Sequence, residues 1–598
     1  MNDFLFCPAP VTEPGREAES FGLGNCFEHE GYLLCYNGRG VEFFDGTGIY
    51  INGYVLPRNS VFGLYGSDDP YRLIALLYAR YGKEFTRYIK GYFSIFIFSG
   101  GHTEIYFDHT GLFRAFYIIK EKRLWVSGSV MLLKKAGITL EYDEVSLCMQ
   151  SLFHRVPLSY TVFRDVFKTS YGDSFNILHE GAEHNKYWNP EELTGSSAGS
   201  PPGVSELADL FRENINNFNS YLKPDHHYIT LTGGKDCRTI LAALLSSGVK
   251  PAGLTYGNKR SRDATFAGIL AEACGLNHSV VSPPDNKEWF DQEARKVISA
   301  FNPEINIHRS HRLYAISETA EPAAERAAFY TGYLGGELLT GVYYDDLIFT
   351  RFQTDVWESG KISGIEERLA SYFHLPGRVA VEQIRERLSA MKSFDNRYSR
   401  RMKSFFGIFE TGIPHHSQDV SLSARYWHYP YPAFLDIDFL AILFKSRYNF
   451  LASDDRSANP FKRYNQYILN MRLQHQLCPD LDKIPFGKRG SFSTREYLQR
   501  PGSRIIAKAY RYFTDRSQYP PSFAYGDGYR DFIYESLTGI MKSGSEVSKF
   551  YDTDRALSEL RQAGGLKSES AWHRYSNIVM FHILDQELKN EVQDSDIQ

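Results

Sequence analysis

The chain is poor in every feature that would place it quickly. Its seven cysteines in 598 residues are scattered at Cys7, Cys26, Cys35, Cys148, Cys237, Cys274 and Cys478. They form no C-x-x-C pair and no zinc-type spacing, which excludes a disulfide-dense scaffold or a zinc module and points to reduced thiols in the cytoplasm. No apolar run approaches the roughly 18 residues that a membrane helix needs, so no membrane partner is expected. The opening MNDFLFCPAPVTEPGRE lacks the basic start and apolar centre of a secretory signal. Charge of one sign is missing too: 67 Lys and Arg stand against 71 Asp and Glu, a formal net charge of −4. That excludes the broad basic field of a dedicated nucleic-acid binder. Aromatic side chains are plentiful, with 43 Phe, 41 Tyr and 6 Trp, and 43% of the residues are hydrophobic. A large folded protein of several domains follows.

Residues 21 to about 190 read as β-rich: YLLCYN, GIYING, YFSIFIF, TEIYFD, AFYIIK and RLWVSG are short apolar runs between turn residues. One helix interrupts them, PYRLIALLYARYG, with Asp69 as N-cap and Gly82 as its stop. TGSSAGSPPGVS, residues 194–205, is the clearest linker. The texture then changes. An amphipathic helix (VSELADLFRENINNF), a strand (HHYITLT), a helix (RTILAALLSSG), a strand (PAGLTYG) and a helix (ATFAGILAEACG) alternate as in a parallel α/β sheet. Beyond 360 the chain reads mostly helical. The domains expected are therefore 1–193, a linker at 194–205, and 206–598.

The sharpest local feature is HHYITLTGGKDCRTILAALL. A strand ends at Thr230–Leu231, a turn Thr232-Gly233-Gly234-Lys235-Asp236 follows, and a helix opens near Cys237. Glycines admit a ligand close to the backbone, and exposed N–H groups at a helix start favour an anion. Asp236 beside a phosphate requires a cation between them, most simply Mg²⁺. The spacing is neither that of a Walker A loop nor G-x-G-x-x-G. A bare Gly-Gly-x-Asp is equally an ordinary tight βα turn.

LTGGKDCR closely resembles the S-G-G-x-D-S loop of the ATP-pyrophosphatase superfamily, in its asparagine-synthetase branch. The resemblance implies that Leu231, Thr232, Gly233, Gly234, Asp236 and Cys237 hold the pyrophosphate of ATP and that Asp236 ligates Mg²⁺. Cys237 stands where the family has Ser, at the loss of a hydroxyl donor. In PAGLTYGNKRSRDATFAGILAEACGLNHSVV, the backbone near Leu254–Thr255 would meet adenine, and Asp263 matches an acidic position near the phosphates. YTGYLGGELLTG resembles the family's S-G-D-G-x-D-E-L-F-x-G loop, giving Thr331 and Gly332 to the nucleotide. Tyr333 and Gly336 replace its two Asp, leaving Glu337. Tyr333 resembles the tyrosine of β-lactam synthetases that helps deprotonate an attacking amine, and His428 lies near the P-F-L-D-like segment 431–447. FKRYNQYILNMRL resembles the segment that supplies a lysine to the adenylate. Lys462 is the first choice, with Lys488 in FGKRGSF the second.

YINGYVLP, the stretch from Asp68 through Gly91, IYFDHTGLFRAFYI and HNKYWNP resemble a glutamine amidotransferase domain. The fold class this implies is an α+β Ntn-hydrolase-like αββα sandwich, followed by an α/β PP-loop synthetase domain with a helical C-terminal part. Such a domain uses an N-terminal cysteine to release ammonia. Here the chain opens Met1-Asn2, and Cys7 would serve only after loss of six residues, so glutaminase chemistry is expected to be lost. The resemblance then implies an ATP-dependent, AMP-forming amide ligase whose amine belongs to the substrate. The substrate expected first is a precursor peptide closed into a macrolactam, as in lasso-peptide cyclases, with a leader-processing protease as partner. The alternatives are an intermolecular ligase acting on a small acid or sugar acid, and a pseudoenzyme that binds nucleotide without turnover. A tRNA-modifying enzyme of the superfamily would need basic patches and a cysteine pair, and neither is present.

Overall fold

The computed structural model describes residues 3–9, 19–65, 68–195, 200–282, 284–301, 310–319, 326–340, 363–414, 429–452, 468–486, 493–499, 526–543, 545–562 and 569–595. Lys462, Lys488 and His428 lie outside them.

Two six-stranded antiparallel sheets form the first 190 residues. One has the order β10-β8-β9-β1-β3-β2, from β1 (Phe4–Pro8), β2 (Asn25–His29), β3 (Tyr32–Tyr36), β8 (Phe116–Lys120), β9 (Arg123–Ser127) and β10 (Phe167–Lys168). The other runs β12-β11-β7-β6-β5-β4, from β4 (Glu42–Phe44), β5 (Thr47–Pro57), β6 (Ile89–Ser99), β7 (His102–Phe107), β11 (Asp173–Leu178) and β12 (Gly181–Lys186). Strand periodicity sorts their side chains into layers. Phe4, Phe6, Tyr50, Phe96 and Phe98 meet between the sheets. Leu5 and Cys7 point out of the first sheet onto α2 (Val130–Lys135) and α3 (Glu144–Phe153). Ile49, Ile51, Ile95 and Ile97 point out of the second onto α1 (Pro70–Tyr81). The result is a four-layer αββα sandwich. Helix α1 obeys its sequence signals: the Asp69 side chain accepts from the Tyr71 N–H, Pro70 opens the first turn, and Gly82 ends it at φ 55°.

Glycine is required where β5 meets β6. Gly53 and Gly91 adopt φ of 105° and 128°, and a Cβ on either would stand 2.2–2.3 Å from a carbonyl oxygen of the opposite strand. Asp108, read as part of the same motif set, is wholly buried. It accepts from the backbone N–H groups of Thr110, Leu112 and Phe113, which builds the turn after β7.

One expectation is corrected. Cys26 and Cys35 are joined by a disulfide. They are directly opposed on β2 and β3, with a turn between that pairs His29 with Tyr32. Motif spacing does not register such cross-strand neighbours, and a reducing compartment no longer follows from the cysteine pattern. Cys7 is 3% exposed within an interior strand.

The second half carries a five-stranded, all-parallel sheet of order β15-β14-β13-β16-β17. Its strands are β13 (His226–Thr230), β14 (Ala252–Tyr256), β15 (His278–Val281), β16 (Ala327–Thr331) and β17 (Tyr429–Pro432). Helix α4 (Val204–Leu222) precedes the sheet and opens two residues inside the stretch read as linker. Helix α5 (Lys235–Ser246) joins β13 to β14, α6 (Arg262–Cys274) joins β14 to β15, and α7 (Lys287–Phe301) and α8 (Ser310–Thr319) lie between β15 and β16. Among the described residues, the remaining α-helices are α9 (Gly335–Thr340), α10 (Ser363–Ala370), α11 (Gly377–Leu388), α12 (Arg400–Gly407), α13 (Ile437–Lys445), α14 (Leu469–Leu477), α15 (Thr494–Gln499), α16 (Asp527–Ser543), α17 (Thr553–Gln562) and α18 (Glu569–Ser595). Among the described residues, no helix is long and apolar enough to cross a membrane.

Two continuous cores weld the halves together. One joins the outer face of the second sheet to α4, α5 and α13. The other joins α2 and α3 to the C-terminal helices, with Tyr575, Ile578, Val579, Phe581 and Leu584 of α18 buried in it. At the seam of the first core lies a buried ion cluster. Lys90, 3% exposed, sits 3.0 Å from both Asp436 and Asp438. Arg58 reaches Asp438 at 2.7 Å, and the Tyr431 hydroxyl donates to Asp436. Burial alone would raise the Asp438 carboxyl, but Lys90, Arg58 and the Asn59 N–H hold it down to about 2.

Replacing one member of such a cluster strands its partners. Lys90→Met is expected to cost about 3–5 kcal/mol in urea unfolding, because two buried carboxylates lose their shared cation. The folded Asp438 pKa is lower than the unfolded value of 3.8, so its stabilisation is present above pH 3.8 and is lost as pH falls towards 2. Acid titrations of wild type and Asp438→Asn should therefore converge over that window.

Candidate functional site

In an open parallel sheet, ligands bind at the carboxyl ends of the strands where the chain's winding direction reverses. Here that point lies between β13 and β16, the central neighbours from which connections run outward in opposite directions. The T-G-G-K-D turn leaves β13 at this point and the T-G-Y-L-G-G turn leaves β16.

The first turn is shaped by its own side chains. The Gly234 N–H donates to Thr232 Oγ1 at 3.0 Å, and Gly234 is the N-cap of α5. Cys237 folds its sulfur back, accepting from the Thr232 N–H at 3.4 Å. Burial raises its thiol above the usual range, so the sulfur stays protonated within the turn. Asp236 occupies the first turn of α5, where the helix dipole favours a negative group. Its Oδ1 accepts from Asn470 Nδ2 on α14 at 2.6 Å.

The second turn is pressed against the first. A Cβ on Gly332 would stand 2.9 Å from the backbone nitrogen of Cys237 and 3.1 Å from the carbonyl carbon of Asp236. A Cβ on Gly335 would meet the Phe434 ring at 2.6 Å and the Asp236 Cβ at 3.0 Å. Leu334 adopts φ 58°, which a non-glycine residue holds only where its surroundings over-determine it. The Thr331 hydroxyl is buried at the end of β16 with no hydrogen-bond partner among the described residues. Tyr333 is half-buried in the turn and packs on the core.

Thr255 and Leu254 stand beside these turns. The Thr255 hydroxyl donates to the Leu231 carbonyl at 2.7 Å, and the Leu231 N–H donates to the Leu254 carbonyl, so β14 braces the glycine turn. Asp263 and Glu337 sit in the first turns of α6 and α9. Among the described residues, no three His, Cys, Asp or Glu side chains gather as a metal cage. Asp236 and the 332–336 turn are brought together. Asp236, Glu337 and Asp263 do not gather as one group.

Sequence reasoning missed two anchors. Arg238, fully buried, donates to the carbonyls of Ile484 and Pro485 at 2.6 and 2.7 Å, and burial pushes its guanidinium down to about 10. Asn470, Gln474 and Thr239 form a buried polar cluster behind Asp236. A polar face on a short helix was its only sequence signal.

No family model matches the chain, and no curated protein matches it. Among solved structures it is similar to glutamine phosphoribosylpyrophosphate amidotransferase from B. subtilis, complexed with ADP and GMP. The two share 10% identity over 56% of this chain and 82% of that one, at a TM-score of 0.22. It is also similar to a structure described as the allosteric regulatory enzyme of purine biosynthesis, at 8% identity, 56% and 81% coverage and a TM-score of 0.23. Likenesses this slight decide neither fold nor chemistry.

The Gly332 contact is directly testable. Gly332→Ala drives a methyl into backbone that cannot move aside, and is expected to cost about 1–3 kcal/mol in thermal unfolding and to pry the two turns apart. Gly336→Asp should fold normally, since a Cβ there stands an ordinary 3.7 Å from Asp236 Oδ2.

Proposed function

We propose that this chain is an ATP-dependent, AMP-forming amide ligase built as an amidotransferase-like sandwich and a PP-loop synthetase domain. The observation that carries the reading is the pairing, at one switch point, of a glycine turn opening a helix with an acidic first-turn residue and a second glycine turn pressed onto it. Backbone N–H groups at the start of α5 would receive the pyrophosphate of ATP, and Asp236 would hold Mg²⁺ against it. The residues fit that metal in part: Asp236 is oriented and Gly336 leaves room beside it, while the further ligands would come from phosphate oxygens and water, as Mg²⁺ usually arranges.

The chemistry proposed is two displacements. A substrate carboxylate oxygen attacks the α-phosphorus of ATP and pyrophosphate leaves. An amine then attacks the acyl carbon, AMP leaves, and the amine proton passes to a base, for which Tyr333 is the nearest candidate in the described turns. Tyrosine has an ordinary pKa of about 10, so it needs a neighbouring charge to act near neutrality. Lys462 or Lys488 would neutralise the adenylate.

The amine is proposed to belong to the substrate, with a peptide closed on itself as the leading class. Burial supports this: in the sandwich Cys7 and Cys148 are buried and Cys26 is bonded to Cys35, so none of these thiols stands ready to open glutamine. A small acid joined to a separate amine is the alternative substrate. A second reading, nucleotide binding without turnover, is favoured by Tyr333 and Gly336 standing where two loop carboxylates would be expected.

Product analysis separates these readings. With Mg·ATP and a panel of linear peptides carrying an acidic side chain, the ligase reading expects AMP, pyrophosphate and a peptide lighter by one water. Turnover only with small acids and added amines would move the substrate class. Bound ATP with no AMP across both panels would establish the binding reading. Asp236→Asn should lower pyrophosphate release by two to three orders of magnitude; retained activity would sink the assignment.

A further inference from the structure

Behind Asp236 runs a chain of four side-chain hydrogen bonds, each donor pointing the same way. The Thr494 hydroxyl donates to Gln474 Oε1 at 3.0 Å. Gln474 Nε2 donates to Thr239 Oγ1 at 3.0 Å. The Thr239 hydroxyl donates to Asn470 Oδ1 at 3.0 Å. Asn470 Nδ2 donates to Asp236 Oδ1 at 2.6 Å. Thr494, Gln474 and Thr239 are wholly buried and Asn470 is 3% exposed.

Such an arrangement is informative because each member has an alternative. A buried amide can turn over, and a buried hydroxyl can donate elsewhere. The Thr239 hydroxyl also has the Lys235 carbonyl at 3.1 Å and the Asn470 carbonyl at 3.4 Å within reach, its bond to Asn470 Oδ1 is the shortest of the three, and the series ends on an acceptor-only group. Bonds that donate in one direction polarise each other, so the last is the strongest. Gln474 also donates to the Lys235 carbonyl, which ties the series to the first turn of α5. The chain spans three helices: α15 and its sequence neighbour α14, and α5, which lies far upstream. Its terminus fixes one oxygen of Asp236, while the other lies 3.7 Å from where a Cβ on Gly336 would stand.

We propose that Asn470, held by Thr239 and Gln474, is the positioning residue that sets the Asp236 carboxylate for a divalent cation bound together with a polyphosphate. This rests on the reading of the site given above. Groups that orient a metal ligand from behind typically change metal affinity by 10–100-fold when removed. Fixing the ligand before the metal arrives removes the cost of ordering it on binding.

The test uses the full chain, Mn²⁺ as the probe ion and a non-hydrolysable ATP analogue, with Mn²⁺ affinity read by paramagnetic titration. Asn470→Ala is expected to weaken Mn²⁺ about 10–100-fold. Thr239→Val, which keeps the shape and removes the hydroxyl, should weaken it several-fold, and Thr239→Ser should restore it. Thermal melts report folding, and a structural role alone would move the melt without the Ser rescue. Unchanged Mn²⁺ affinity in a folded Asn470→Ala protein overturns the proposal. If wild type and Asp236→Asn bind Mn²⁺ equally, the cation reading of the site fails instead. Crystal structures of wild type and Asn470→Ala then decide the relay without metal: Asp236 turned away in the variant upholds it, and an unmoved carboxylate rejects it.

Discussion

The candidate site depends on how closely the turn after β16 approaches the first turn of α5. Gly332 lies so near the Cys237 nitrogen that no side chain fits between them. That contact brings two loops, about a hundred residues apart in sequence, to one point at the end of the sheet. It is available only because the parallel order places β13 and β16 side by side with their connections running outward. At that point the backbone N–H groups opening α5 lie beside the Thr331 hydroxyl, which has no hydrogen-bond partner among the described residues. The strain held at Leu334 belongs to the same constraint, since the turn must reverse sharply to lay Gly335 on Phe434.

Phe434 links this pair of turns to the first domain. It lies two residues before Asp436, whose carboxylate is held by Lys90 from β6. A cation from the sandwich thus fixes the segment whose aromatic ring supports the second glycine turn. Removing two charges from water is costly, and their attraction repays the cost only with good geometry and further hydrogen bonds. Asn59, Asn214 and Tyr431 supply those bonds. A sandwich so joined to its neighbour contributes to the site's geometry whether or not it performs chemistry of its own. The buried imidazole of His109 lines the small cavity at the same seam, pushed down to about 3 chiefly by burial, so it stays neutral there.

How much of this could be read beforehand follows from the range of each interaction. Helix α1 was legible because its signals are local: Asp69, Pro70 and Gly82 act within one turn of its ends. Strands β3, β5 to β9, β13 and β14 were legible from short apolar runs between turn residues. Strand β17 was not, because Tyr-Pro-Tyr-Pro reads as a break; it is tolerated because, among the described residues, β17 pairs on one side only. Helix α18 is buried on all sides through its middle, which erases the periodicity that marks a surface helix. The Cys26–Cys35 bond, the Lys90 cluster and the Asn470 contact join residues through tertiary geometry alone. At the site, the glycine turn and Asp236 were legible because backbone demands leave a motif. The residue that orients Asp236 was not, because any polar side chain of suitable reach could do the same work.

That asymmetry bears on how the proposed nucleotide site could change while its fold persists. A position such as Gly332 is closed to substitution by backbone contact. Gly336 is open: a side chain there would fit, and its absence leaves Asp236 as the carboxylate beside the gap. A lone carboxylate holds a divalent cation weakly unless it is already oriented and the ligand's own phosphates complete the shell. In the proposed reading, the buried series from Thr494 to Asn470 would supply the orientation and the helix start the phosphate contacts. On that reading the cation would bind appreciably only with the nucleotide, so that metal and polyphosphate would enter the site as one ligand.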